Sequence, residues 1–247
     1  TLTWLDERGD EPFFLMAHYF DPHVYYDPPP EYLDIFTPEP VEGVELPFKR
    51  ASAIRHGRWD PNEDQRAYIR GLYDGEVRFV DEEIGRLIRT LDEAGRLDDT
   101  WVVVTADHGE EHWDHGGFEH GHRYEDVVTR VPLIIRPPGG TWRAGERIDV
   151  ATSHEDLVPT FLEWMGAEVP EHIEGRSLVP VLEGEDTTHR PLLMQFNLWA
   201  GQQWAVYDCR YKLVQAVVTG NGEPDDSWYW LDLEADPGER FVNDPRR

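Results

Sequence analysis

The sequence predicts an α/β protein with a small antiparallel β appendage at its C-terminal end. Three observations predict it. From about Asn62 to Ala94, apolar residues recur at steps of three and four (Ile69, Leu72, Tyr73, Val77, Val80, Ile84, Leu87, Ile88, Leu91), the period of an amphipathic helix. Trp101–Thr105 follows as a continuous β-branched run, the pattern of a strand buried on both faces of a sheet. Beyond residue 190 the chain changes to short alternating, aromatic-rich runs separated by Gly, Asn and Asp.

Each element follows from local signals. Residues 12–17, Pro-Phe-Phe-Leu-Met-Ala, read as a short buried strand. Pro22, Pro28, Pro29 and Pro30 remove ladder donors, so 18–30 become a rigid loop at that strand's C-terminal end. Residues 34–60 are polar and proline-containing and are expected to be an irregular surface excursion. The helix over 62–94 stops at Gly95. Asp107-His-Gly109 lies just past the Trp101–Thr105 strand, and a His-rich loop runs on to His122. A helical turn at Tyr124–Arg130 precedes a second buried strand, Val131–Arg136. A helix is expected over 154–166, with Pro159 in its first turns. Leu192–Phe196, Gln203–Tyr207, Tyr211–Val218 and Trp228–Leu233 read as antiparallel strands. The expected division is residues 1–188 for the α/β part and 189–247 for the β subdomain.

Composition narrows the function. Of the 247 residues, 39% are hydrophobic and 12% aromatic, enough for a packed core. Twenty-three Lys and Arg against 50 Asp and Glu give a net charge of −27. Such a surface repels nucleic acid and anionic membrane, so neither is an expected partner. No apolar run approaches the roughly 18 residues of a membrane span. No secretory leader is visible at Thr1, and the compartment, cytoplasmic or periplasmic, stays open. The one cysteine, Cys209, allows neither an internal disulfide nor a cysteine zinc cluster.

Two loops at strand C-termini, where open α/β sheets bind ligands, concentrate the ionisable groups. One carries His18, Asp21 and His23. The other carries Asp107, His108, Glu110, Glu111, His112, Asp114, His115, His120 and His122. Most of the 11 histidines lie in these two segments. Asp107 and His108 offer a carboxylate oxygen and an imidazole nitrogen to one divalent cation, and Gly109 lets both face one point. Alone, the pair reads equally as a loop cap and a packed ring. His108 and His112 at i, i+4 form an alternative zinc pair, which Gly109 disfavours by weakening a helix there. His23 and His120 can bind an oxyanion or protonate a leaving group, or can be ordinary loop histidines.

The joint pattern resembles the sulfatases of the alkaline phosphatase superfamily. Phe13-Phe-Leu-x-x-His-x-x-Asp-Pro-His-x-x-Tyr-Asp-Pro-Pro29 is similar to one of their segments. So are Val103-Val-Thr-Ala-Asp-His-Gly-Glu110, Asp114-His-Gly116, His120-Gly121 and Arg130-Val-Pro-Leu-Ile-Ile135. Asp156-Leu-Val-Pro-Thr160 with Gly175-Arg-Ser-Leu178, then Tyr211-Lys-Leu-Val214 and Leu231-Asp-Leu-x-x-Asp-Pro-Gly-Glu239, follow in the family's order.

The resemblance implies an alkaline-phosphatase-like sheet flanked by helices, present here in part. It implies Asp107 and His108 as the two late metal ligands; many sulfatases carry Asn or Gln at the second position and phosphonate monoester hydrolases carry His. It implies Ca²⁺ as the cation, with Mn²⁺ or Zn²⁺ as alternatives. His23 matches the histidine that touches the sulfate ester, and His120 falls where many members carry a substrate-binding lysine. His18 and His122 join them as expected substrate contacts. The family's formylglycine nucleophile arises from a Cys/Ser-x-Pro-x-Arg segment, which these residues do not contain, and the early aspartate pair is absent too; Asp98-Asp99 precedes its strand, at the wrong end. The expectation is therefore the C-terminal portion of a metal-dependent hydrolase of small-molecule or carbohydrate sulfate esters, inactive by itself, with the nucleophile supplied by an N-terminal part. The alternatives are a phosphonate or phosphate ester hydrolase or phosphotransferase of the same superfamily, a non-catalytic binding module, and an unrelated zinc-binding protein.

Overall fold

The computed structural model describes residues 2–9, 11–37, 39–140, 143–198, 201–218, 223–224 and 226–240. By contact the chain forms two compact units, 1–120 with 130–144, and 121–129 with 145–247. The helices beyond residue 154 thus group with the C-terminal sheet, whereas the expected division near 188 groups them with the α/β part.

The first unit is organised by its long helix. Short helices α1 (Leu2–Arg8), α2 (Pro30–Phe36) and α3 (Ala51–Arg55) precede α4 (Glu63–Glu93). Asn62 caps α4 in a reciprocal capping box with Gln65, which satisfies two otherwise orphaned N–H groups. Gly95 ends it at φ 67°. Proline at its first position starts α2, whose end overlaps the start of the expected irregular excursion, and α3 lies within that excursion. Ile69 and Leu72 of α4 anchor a core with Val24, Tyr26, Val44, Phe48 and Phe118. Gly71 is required where α4 meets the end of α2: a Cβ there would lie 2.5 Å from Thr37 Cγ2 and 2.9 Å from the Phe36 carbonyl oxygen.

β1 (Val102–Thr105) pairs antiparallel with a later strand, Leu133–Arg136, Val103 lying opposite Ile135. Parallel pairing is not seen among the described residues, and β1 is half-buried rather than covered on both faces. The strand expected over 12–17 is absent, since residues 11–20 form no regular element. Phe13 and Leu15 still pack against Leu5, Leu91 and Leu97. Exposure alternates along the segment, but no described strand lies beside it to complete a ladder. Phe14 and Met16 consequently remain 66% and 77% exposed.

Between β1 and its partner the chain makes a small hairpin, β2 (Glu111–His112) and β3 (Phe118–Glu119). The partner strand Leu133–Arg136 is β4. In the second unit, α5 (Asp126–Thr129) and α6 (Leu157–Trp164) fall where helical segments are expected, and α7 (Val179–Glu183) is a further short helix not among those expected. Asp156, fully buried, accepts from the backbone N–H of Ser153 and of Arg176 at 2.9 Å each and pairs with Arg190. Gly175 sits against this turn so closely that a Cβ would lie 1.9 Å from the Glu155 carbonyl oxygen. Strands β5 (Leu192–Leu198), β6 (Gly201–Asp208), β7 (Tyr211–Val218) and β8 (Trp228–Asp232) form a four-stranded antiparallel meander, as expected. Tyr124 packs on its Ala205, Val214, Met194 and Tyr229. Among the described residues, no helix is long and apolar enough to cross a membrane.

Candidate active site

The site grows from two loops of the first unit. In the loop after β1, the backbone N–H of His108 donates to Asp107 Oδ1 at 2.9 Å. The His108 ring donates from Nδ1 to the Gly109 carbonyl at 2.9 Å. Nε2 of the same ring lies 3.7 Å from Asp107 Oδ2. A backbone carbonyl holding the second nitrogen is the usual support of a metal-ligating histidine. The donor set of carboxylate and imidazole suits a divalent cation, and Asp107 is exposed enough to receive one. Among the described residues no group of three or more His, Cys, Asp or Glu gathers as a metal site.

The hairpin then brings Glu110 and His120 together. Glu111 lies opposite Glu119 in the register, so Glu110 and His120 are the next pair outward. The fully buried Glu111 carboxylate holds the turn by accepting from the N–H of His115 at 2.9 Å and Gly117 at 2.7 Å. His120 Nδ1 lies 3.0 Å from Glu110 Oε1. This hydrogen bond raises the His120 pKa against the opposing effect of burial, with the nearby charges of Glu110, Glu119 and Asp107 adding to the rise. The His120 ring stacks 3.8 Å from that of His108 and lies 5.5 Å from that of His23.

His23 reaches this point because its loop is nailed down on either side of the next few residues. Phe20 packs on its ring at 4.7 Å, and Nδ1 bonds the Val24 carbonyl. The fully buried Tyr26 stacks on Phe48 and takes the Phe48 N–H on its carbonyl at 2.8 Å. The Asp27 N–H donates to Glu76 of α4 at 2.6 Å.

The structure thus gathers Asp107, His108, His120 and His23. His18 is exposed and makes no contact of note among the described residues, and His122, half-buried, belongs to the second unit. His112 is a core histidine. It packs 4.7 Å from the Tyr73 ring, and burial pushes its pKa down to about 4. His112 lies in β2 and not on a helix, so the helical i, i+4 spacing behind the alternative zinc pair with His108 is absent. Sequence reasoning missed the supporting roles of Glu110, Glu119, Tyr26 and Arg55. Arg55 of α3 pairs with the buried Glu119 at 2.8 Å, whose carboxyl is pushed up by burial and pulled back by that guanidinium. The signal for Glu110 was the Gly116-Gly117 turn midway between it and His120.

A family model described as sulfatase matches residues 1–167. The chain belongs to the sulfatase family. A second model, the C-terminal region of N-sulphoglucosamine sulphohydrolase, matches residues 113–244. The uncharacterised sulfatase YidJ of Escherichia coli K12 is 35% identical over 77% of the chain and 38% of its own length. The N-acetylglucosamine-6-O-sulfatase of Bacteroides thetaiotaomicron is 44% identical over 116 residues, 47% of the chain and 20% of its own length. The phosphonate monoester hydrolase of Silicibacter pomeroyi superposes with a TM-score of 0.77 at 26% identity, over 95% of this chain and 52% of that one. The chain therefore spans about half of that hydrolase and 38% and 20% of the two named sulfatases. The neighbours share the expected alkaline-phosphatase-like fold.

Proposed function

We propose that this sulfatase chain contributes half of the metal shell and the oxyanion contacts of a sulfate ester hydrolase. The observation that carries the proposal is the closeness of His108 Nε2 to Asp107, with His120 and His23 beside them. Asp107 and His108 would hold the cation, Ca²⁺ by family resemblance with Mn²⁺ or Zn²⁺ as alternatives. When bound, that cation supplies positive charge that neutralises the ester oxyanion as the bond breaks. With Nδ1 committed to Glu110, His120 presents Nε2–H to a sulfate oxygen or to the departing oxygen. His23 meets the same group from the neighbouring loop, and His18 would extend the contacts to the rest of the substrate. Local cations thus offset a protein whose net charge of −27 otherwise repels an anion. The nucleophile, formylglycine in the family, has to come from outside these 247 residues. A carbohydrate sulfate is the favoured substrate class, because a relative named as an N-acetylglucosamine-6-O-sulfatase is 44% identical over its matched 116 residues.

A second reading, phosphonate ester hydrolysis, is favoured by His at position 108 and by the phosphonate monoester hydrolase neighbour. Assay of the chain, alone and joined to a nucleophile-bearing N-terminal half, on an aryl sulfate and an aryl phosphonate with Ca²⁺ or Mn²⁺ separates the two. The expected result is turnover only in the longer protein, faster on the sulfate. Turnover by the 247 residues alone, abolished in Asp107→Ala, overturns the external nucleophile.

A further inference from the structure

We propose that Glu110 is the positioning residue for His120, holding its imidazole by Nδ1 so that Nε2 addresses the anion, and tying it through Tyr26 to the loop of His23. The proposal rests on the oxyanion reading above and extends it to a residue that does not touch the ester. The Glu110 side chain is only 4% exposed, although Asp107 three residues earlier is open to solvent. A buried carboxylate is kept where hydrogen bonds repay its desolvation. Its two oxygens serve two different loops. Oε1 lies 3.0 Å from His120 Nδ1, and Oε2 receives the Tyr26 hydroxyl at 3.5 Å. That hydroxyl also lies 3.3 Å from His112 Nε2, within the packed core. A carboxylate oxygen accepts here, so His120 Nδ1–H is the donor, and an oxyanion, which also accepts, is met by Nε2–H. The bond also holds the ring against His108 at 3.8 Å and near His23 at 5.5 Å, which fixes the width of the subsite.

The test reads imidazole ¹⁵N resonances of the 247-residue chain, with inorganic sulfate as the probe, in the unaltered protein and in Glu110→Ala, Glu110→Gln and Tyr26→Phe. The unaltered chain should show His120 protonated at Nδ1, with sulfate perturbing His23 and His120 together. Glu110→Ala should lose the Nδ1–H pattern and weaken sulfate binding about tenfold, the size of one charge-assisted hydrogen bond. Glu110→Gln, which keeps an acceptor, should retain the pattern. Tyr26→Phe should alter the His23 response and spare the His120 pattern. Should the alanine variant fail to fold, the other two decide. An unchanged Nδ1 pattern in Glu110→Ala, or its loss in Glu110→Gln, overturns the proposal. Sulfate that perturbs neither histidine in the unaltered chain refutes the oxyanion subsite instead, and leaves Glu110 to be judged on the ring pattern alone.

Discussion

The Asp27 N–H donates to the Glu76 carboxyl at 2.6 Å, joining the loop that carries His23 to the middle of α4. Beside this bond Gly75 lies so close to Pro28 that a Cβ would come within 3.0 Å of the ring. The loop is therefore held by a side-chain acceptor and by a helix face with no side chain in the way.

That bond makes stability depend on pH in a defined direction. Burial, with the charges of Asp21 and Asp27, pushes the Glu76 pKa up to about 8, although the Asp27 N–H pulls it down. The folded chain holds a proton that the unfolded chain releases near 4.5. The stabilisation is thus complete below about 4.5 and is lost as pH rises through about 8. Glu76→Gln retains the acceptor and removes the titration. The stability of the variant relative to the parent should climb by up to about 1 kcal/mol per pH unit between about pH 5 and pH 8. Denaturant midpoints across that range check it. The buried His112 acts in the opposite sense at lower pH, but both proteins carry it and it cancels.

Lys212 of β7 is 1% exposed and bonds the Tyr124 carbonyl at 2.7 Å, Asp126 at 2.8 Å and Glu239 at 2.6 Å. Lys212→Met should cost about 3–5 kcal/mol, because the buried Glu239 carboxylate loses its partner. A double change with Glu239→Leu should recover most of that loss. Chemical unfolding of the single and double variants decides it.

Gly71→Ala should destabilise the first unit by about 1–3 kcal/mol, although alanine is the better helix former. The added methyl meets backbone, the Phe36 carbonyl, as well as Thr37. A gain in melting temperature would show that α2 retreats without cost.

The chain alone should bind Mn²⁺ or Ca²⁺ only in the millimolar range or more weakly, since two donors make an incomplete shell. Asp107→Ala and His108→Ala should each abolish that binding, and Asp114→Ala should leave it intact. Isothermal calorimetry gives the comparison.

Phe14 and Met16 are exposed apolar side chains on a segment that pairs with no strand among the described residues. Replacing both with serine should lower self-association of the isolated chain at a given concentration, because unpaired apolar edges template further pairing. Light scattering of parent and variant tests this.

The sequence by itself determined the period of α4, the boundaries of the C-terminal meander and the sulfatase motifs, including Asp107, His108, His23 and His120. The helix and the strands follow from local rules of periodicity, capping and turn chemistry, and the motifs with their residues from resemblance to the sulfatases. It misplaced the strand at 12–17, because a strand exists only when another segment completes its ladder, and an apolar run carries no record of its neighbour. It could not show that the Gly109 carbonyl holds the His108 ring by Nδ1, or see that His112 turns into the core between Tyr26 and Tyr73. Nor could it show that Glu110 grips His120, since that pairing depends on the register of a hairpin. Tertiary structure decided these points because each is a relation between segments brought together by packing.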